Sequence, residues 1–236
     1  MGKARMDRPR GAHYRRGMRL LCLDGSLARS SAALLADGEV LARGQEDGAR
    51  GHPSALPVLA ERVLAEAGLS ATGLDAVAVV VGPGGFTGLR AAIALAEGIA
   101  LGAGLPLVGV TTGEALAAAL PEPLRAARAV WTAVDNRRGR VVLECFAPGA
   151  AVPEAPPRAV AERDLPPPGG PVALAGDGAA LVAARLLARG ADAMLTGARL
   201  PHAADAARVA ALRLAGAIPP RGAAPLYVEP PAVRGG

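Results

Sequence analysis

Aromatic side chains are nearly missing from this chain, with two Phe, two Tyr and one Trp among 236 residues. Binding of single-stranded nucleic acid by base stacking needs a platform of exposed rings, so this composition argues against it. Histidine is scarce as well. His13, His52 and His202 stand in three separate segments with no i, i+4 partner, so neighbours in sequence assemble no zinc or iron site. The two cysteines, Cys22 and Cys145, each lie inside an apolar run and read as buried reduced thiols rather than a disulfide or a metal pair. There is no G-x-S-x-G nucleophile elbow. No run of 18 uninterrupted apolar residues marks a membrane span, and the N-terminus lacks the apolar region of a leader. These absences together set the expectation of a cytoplasmic protein without metal or cofactor.

What is present is apolar but small. The chain is 51% hydrophobic, much of it alanine, which suffices for a large core in one domain or two lobes. The net charge of +5 sits entirely in residues 1–17, where Lys3, Arg5, Arg8, Arg10, Arg15 and Arg16 face only Asp7. That stretch has no hydrophobic periodicity and reads as a basic, disordered and dispensable extension ahead of Met18, so the start at Met1 or Met18 stays open. An RNA-binding reading of the chain would rest on this tail alone.

The body opens with three predicted strands: "RLLCLD" ending at Asp24, a run from about 31 to 36, and a third after Asp37-Gly38, the preferred two-residue hairpin turn. A helix over about 54 to 67 follows, with Ser54 as N-cap, Pro57 in its first turn and Gly68 as stop. Strand 76–81, a glycine-rich turn, a helix over about 88–101, strand 106–110 and a helix after Thr112 complete one α/β lobe. The second half restarts the pattern with "VWTAVDNRRGRVVLECF", an apolar strand ending in Asp135, a polar turn and another apolar strand. A duplicated lobe with a cleft between the halves is the simplest architecture, divided as 18–120 and 121–236. A connector over 148–171 carries eight prolines and is expected to be loose and edge-lying. Strand 172–175, "GDG" at 176–178 and two Ala-rich helices near 179–189 and 203–215 end the chain.

"VVVGPGGFTGLR" (79–90) raises the main chemical question. Strand, glycine turn and helix N-terminus converge unpaired N–H groups on one point, as in phosphate-binding loops. Yet no Lys-Ser/Thr follows Gly82, Gly84 and Gly85, and Thr87 stands where a dinucleotide fingerprint has its third glycine. Pro83 removes one donor, and Phe86 puts an apolar ring in the turn. Phosphate cradle and structural crossover both stay open on the residues alone. So do two readings of Asp24 and Asp135: ligands for a hydrated metal or phosphate in the cleft, or acceptors of local Asx-turn bonds. The helix after the loop is apolar almost all round, with Arg90 and Glu97 as its only charges. Ile93 and Ala96 are assigned to the lobe's own core, and Ala91, Leu95 and Gly98 to an opposite face that needs a cover of its own. Helix 54–67, with Leu56, Leu59 and Val63, is placed beside it in the same association surface.

The blocks "LCLDGSLARSSAALLADG", "GHPSALPVLAERVLAEAG", "VVVGPGGFTGLRAAIALAEGIALGAGLPLVGVTTGEALA", "AVDNRRGRVV" and "PLYVEPP" resemble, in order from about 19 to 231, the TsaB/YeaZ family of tRNA threonylcarbamoyladenosine biosynthesis proteins. The resemblance implies two lobes of the actin, sugar-kinase and Hsp70 type (ribonuclease H-like). It implies a non-catalytic scaffold for TsaD, the subunit that modifies the adenosine beside the anticodon, with TsaE, an ATPase, joining the assembled pair and tRNA reached only through the complex. In that family the metal ligands and nucleotide site reside on TsaD, and the glycine loop here is inherited architecture that aims an interface helix. Homodimer or monomer when free stays open. Three positions depart from the family pattern: Gly85 replaces Ser, Asp24-Gly25-Ser26 replaces D-T-S, and Arg140-Val141-Val142 replaces Glu-Val-Tyr. Polar groups are lost in the cleft, which weakens a ligand-binding reading there. An actin-like small-molecule kinase and a metallopeptidase are the rivals.

Overall fold

The computed structural model describes residues 17–48 and 54–229. The basic extension through Arg16, and His13 and His52 with it, lie outside the described residues. The first sheet is built from β1 (Arg19–Asp24), β2 (Arg29–Ala36) and β3 (Glu39–Asp47), an antiparallel meander. Asp37 and Gly38, both at positive φ, close its second hairpin as a two-residue turn requires. After α1 (Ala55–Glu66) come β4 (Ala76–Gly82), α2 (Phe86–Ala103), β5 (Leu107–Thr111) and α3 (Thr112–Ala118). Strands β4 and β5 add in parallel to β1, giving the order β3-β2-β1-β4-β5.

The second half repeats this plan strand for strand. Helix α4 (Glu122–Ala127) leads into β6 (Ala129–Asp135), β7 (Arg140–Phe146), β8 (Arg158–Ala161), β9 (Val172–Ala175), α5 (Ala179–Ala188), β10 (Ala193–Leu195) and α6 (Ala203–Leu214). Its sheet order is β8-β7-β6-β9-β10, with β6-β7 and β7-β8 antiparallel and the other pairs parallel. Even the turns correspond, since Gly82 at the end of β4 and Gly176 just after β9 share a φ of 109°. This is a duplicated, two-lobed α/β architecture, as the repeated strand-Asp units led one to expect.

Burial on both faces of the first sheet explains why "RLLCLD" is apolar without alternation. Leu21 and Leu23 face α1 and α2, where they meet Leu56, Leu59, Val63, Ile93 and Ala96. Leu20 and Cys22 face the other side, against Ala203, Ala206, Ala207 and Ala210 of α6. Small side chains on α6 let it lie close to the strands. In the second lobe Trp131 and Leu174 pack on Val182 and Leu186 of α5, while Leu116 of α3 contacts Val134 and Val142. Helix α3 is thus held between the sheets.

Several expectations shift in space. Helix α6 and the segment after it, though in the second half of the sequence, cover the first sheet, and Gly109 and Leu226 donate backbone hydrogen bonds to Arg221 and Val81. The boundary near 120 therefore separates the sheets but not the helices that coat them. The proline-rich connector does lie at an edge, yet it is not loose throughout, because β8 pairs with β7 and Leu165 is buried. Ser54 precedes α1 but makes no side-chain cap bond.

Candidate functional site

Gly85 is the N-cap of α2, so the helix starts at Phe86, two residues earlier than the sequence pattern suggests. Phe86 consequently does not fill the turn; its ring stands on the first helical turn, 52% exposed. The glycines answer to the turn between β1 and β2. A Cβ on Gly84 would overlap the Ser26 carbonyl oxygen, and one on Gly88 the Gly25 carbonyl oxygen. Gly85 N–H donates to the Ser26 carbonyl at 2.7 Å, and Thr112 Oγ1 donates to the Pro83 carbonyl at 2.7 Å. One of the loop's donors is thereby consumed by protein backbone, and close packing accounts for Gly84 and Gly88 without a phosphate. Thr87 is exposed on the first turn of α2.

Asp24 and Asp135 play matching roles in the two lobes. Asp24 Oδ1 accepts from Ser26 N–H at 2.9 Å, and Asp135 Oδ1 accepts from Arg137 N–H at 2.7 Å, each an Asx-turn bond two residues ahead. Burial raises the Asp24 carboxyl to about 6 against the opposing bonds from Ser26. Asp135 is exposed, and its own N–H donates to Asp177 Oδ1 at 2.9 Å. No group of three His, Cys, Asp or Glu that could hold a metal occurs among the described residues.

These parts frame a cleft of about 970 Å³ between the lobes. The first lobe contributes Ser26 and the loop from Pro83 to Gly88, the second Val134 and the β6–β7 turn, and Leu226–Glu229 of the C-terminal segment crosses it. Deeper in the junction lies a polar seam. Glu144 of β7 accepts from Thr111 Oγ1 at 2.9 Å and from Gly113 N–H at 3.2 Å. Burial, with Glu114 nearby as a smaller cause, pushes the Glu144 carboxyl up to about 7. Thr111 caps α3 in a capping box with Glu114, whose carboxylate pairs with Arg213 of α6. Sequence reasoning missed this seam. The T-x-x-E spacing at 111–114 was its one legible signal, whereas nothing in the sequence joins Glu144 or Arg213 to it.

The expected association surface divides. Leu56, Leu59 and Val63 are buried against the first sheet and are not available to a partner. Their i, i+3, i+7 spacing marks a core face, and the outward side of α1 carries Val58 (64% exposed), Glu61 and Arg62. On α2, Leu89, Ala92, Ile93, Ala96 and Ala100 point inward, Ala91 and Leu95 are half-buried, and Gly98 is exposed with open space around it. Leu101, 86% exposed, and Ala94 continue that open stripe. By length and composition alone α2 could cross a membrane, but its inward face is part of the first lobe's core.

The chain is similar to several known proteins. A family model described as "TsaD: tRNA N6-adenosine threonylcarbamoyltransferase" matches residues 45–146. The tRNA threonylcarbamoyladenosine biosynthesis protein TsaB of Escherichia coli (strain K12) is 39% identical over 124 residues, which are 52% of this chain and 53% of that protein. The tRNA N6-adenosine threonylcarbamoyltransferase of Maricaulis maris (strain MCS10) is 37% identical over 46% of this chain, but only 35% of its own length is covered. The chain thus spans about half the length, or less, of the curated relatives it matches. Among solved structures, YeaZ from Pseudomonas aeruginosa superposes with a TM-score of 0.77 at 29% identity, covering 89% of this chain and 99% of that one. A transferase matched over a third of its length and YeaZ matched nearly end to end differ in that coverage, and the chain is similar to the TsaB and YeaZ proteins over these spans.

Proposed function

We propose that the chain acts in the biosynthesis of threonylcarbamoyladenosine in tRNA, as a cytoplasmic, non-catalytic scaffold subunit that docks a TsaD-type transferase. The observation that carries this reading is the outward stripe of α2. Ala94, Gly98 and Leu101 leave a helix of 18 residues uncovered along one side, and the absent side chain at Gly98 lets a second helix backbone approach closely. The cleft supports the non-catalytic part, because Asp135 is engaged in a turn, Asp24 is fully buried outside the cleft lining, and the glycine loop is held in packing. A TsaE-type ATPase would join the assembled pair, tRNA would be met through the complex, and a homodimer through the same stripe would compete with docking. Co-purification of the tagged chain with its native partners tests the proposal. A transferase of the TsaD type is the expected companion; recovery of the chain without it, under conditions that preserve other complexes, would count against this function.

A further inference from the structure

Four residues near the C-terminus touch both lobes across the cleft. Leu226 N–H donates to the Val81 carbonyl at 2.8 Å, which lays the segment along the end of β4. Tyr227 stacks on Phe86 with ring centroids 5.8 Å apart, and its hydroxyl accepts from Arg90 Nε at 2.9 Å. The Arg90 guanidinium lies over the Phe86 ring at 3.7 Å, so cation and both rings form one cluster. Val228 then packs where the lobes meet, in the cluster of Leu116 from the first and Val134 and Val142 from the second. Glu229 ends the crossing, accepting from Asn136 Nδ2 at 2.8 Å and pairing with Arg140 at 3.0 Å.

We propose that residues 226–229 are a latch that fills the mouth of the interlobe cleft and fastens the first lobe to the second, with Arg140 and Glu229 as its catch. The chemistry of each end is suited to the task. On the first lobe the hold is aromatic and cationic in a chain with few rings, and two of its described aromatics meet at this one place. On the second lobe the hold is ionic and reaches the β6–β7 turn, whose conformation depends on Asn136. Asn136 Oδ1 accepts from Arg138 N–H at 2.9 Å and from Arg140 N–H at 3.1 Å, while its Nδ2 is held by Glu229. Arg140, on the second lobe, finds its acidic partner in the C-terminal segment. Because Phe86 and Arg90 belong to the first turns of α2, the latch links the docking helix to the second lobe. That link to docking rests on the reading of α2 proposed above; the latch itself does not.

Amide hydrogen exchange of the isolated full-length chain tests the latch without any partner, so its failure and a failure to bind TsaD are separable. E229R places two guanidinium groups together and R140E two carboxylates. Each should speed exchange of the Leu226 amide by roughly fivefold, the scale of a lost ion pair together with like-charge repulsion. The double variant R140E/E229R rebuilds the pair with reversed sign and should return exchange to within about twofold of the parent. Tyr227→Ala removes the first-lobe hold. It should speed exchange of the Arg138 amide in the opposite lobe by about threefold or more, which packing local to Tyr227 would not do. Melting temperatures identify any variant that fails to fold. Single inversions that leave Leu226 exchange unchanged, a double variant slower to protect than either single, or a Tyr227→Ala protein with unaltered Arg138 exchange would each overturn the proposal.

Discussion

Glu144 is the residue at which protonation and architecture are most closely tied. Its folded carboxyl titrates near 7 instead of its ordinary 4.5, because burial disfavours the charge more than Thr111 and Gly113 favour it. Between those values the folded chain holds a proton that the unfolded chain has released, so stability from Glu144 is full below about 4.5 and is lost as pH rises through 7. Asp24, raised to about 6 by burial, contributes in the same direction at lower pH. His202 opposes both: burial, then Arg29 and Arg43, push its imidazole down to about 4, and its contribution is present above 6.5 and lost as pH falls. Glu144→Gln removes one of these contributions and keeps its Oε1 as acceptor for Gly113 N–H, while its amide nitrogen donates to Thr111 Oγ1 in place of accepting from it. Relative to the parent it should gain stability from pH 5 to pH 8, by at most ~3 kcal/mol. Urea unfolding at several pH values measures the difference, and parallel curves for the two proteins would contradict the account.

At the scale of the element, α2 has an inward core face and an outward stripe proposed here for docking, and substitutions on each should fail differently. Ile93→Ala opens a cavity against Leu21, Val77 and Val79 and should cost about 2 to 5 kcal/mol of stability, lowering the melting temperature of the isolated chain. Gly98→Arg adds a long cation where nothing lies within 4 Å, so the isolated chain should melt as before. In a close helix-to-helix contact the same cation is buried without a partner, and association with the TsaD-type subunit should fall by about two to three decades. Titration of both variants against that subunit separates stability from docking. A Gly98→Arg protein with parent affinity would remove α2 from the interface. The sequence made the two-sided character of α2 legible through its nearly continuous apolar pattern. For α1 the same reasoning misassigned Leu56, Leu59 and Val63, since an apolar stripe states that a face needs cover and not whether the cover is a partner or the chain's own sheet.

For the whole molecule the sharpest contrast is with the small-molecule kinase that the sequence leaves as a rival. The cleft between the lobes is about 970 Å³, large enough for a ligand, but its loop spends the Gly85 donor on Ser26 and the C-terminal segment crosses the mouth. Calorimetry of the full chain with Mg-ATP should therefore detect no binding tighter than about 10 micromolar, roughly 7 kcal/mol. A tighter complex would restore the kinase reading and displace the scaffold.

Much of the architecture was written locally. Asp37-Gly38 dictates a hairpin, the unbroken apolar runs of β1 and β4 dictate central strands, and the return of an apolar strand ending in Asp at 135 dictates duplication. Each of these depends on a few consecutive residues and on backbone preferences that act before the chain is folded. The placement of α6 does not. Its alanines suit any close-packed surface, and only the course of the chain brings them to the first sheet instead of the second. The aspartates were ambiguous for the same reason, since a turn acceptor and a metal ligand have identical sequences until the second coordinating group is located. Glu144 with Thr111, and Glu229 with Arg140, are separated by 33 and 89 residues. Polar groups that far apart along the chain are joined only when both lobes have formed, so the seam and the latch were decided by the tertiary structure alone.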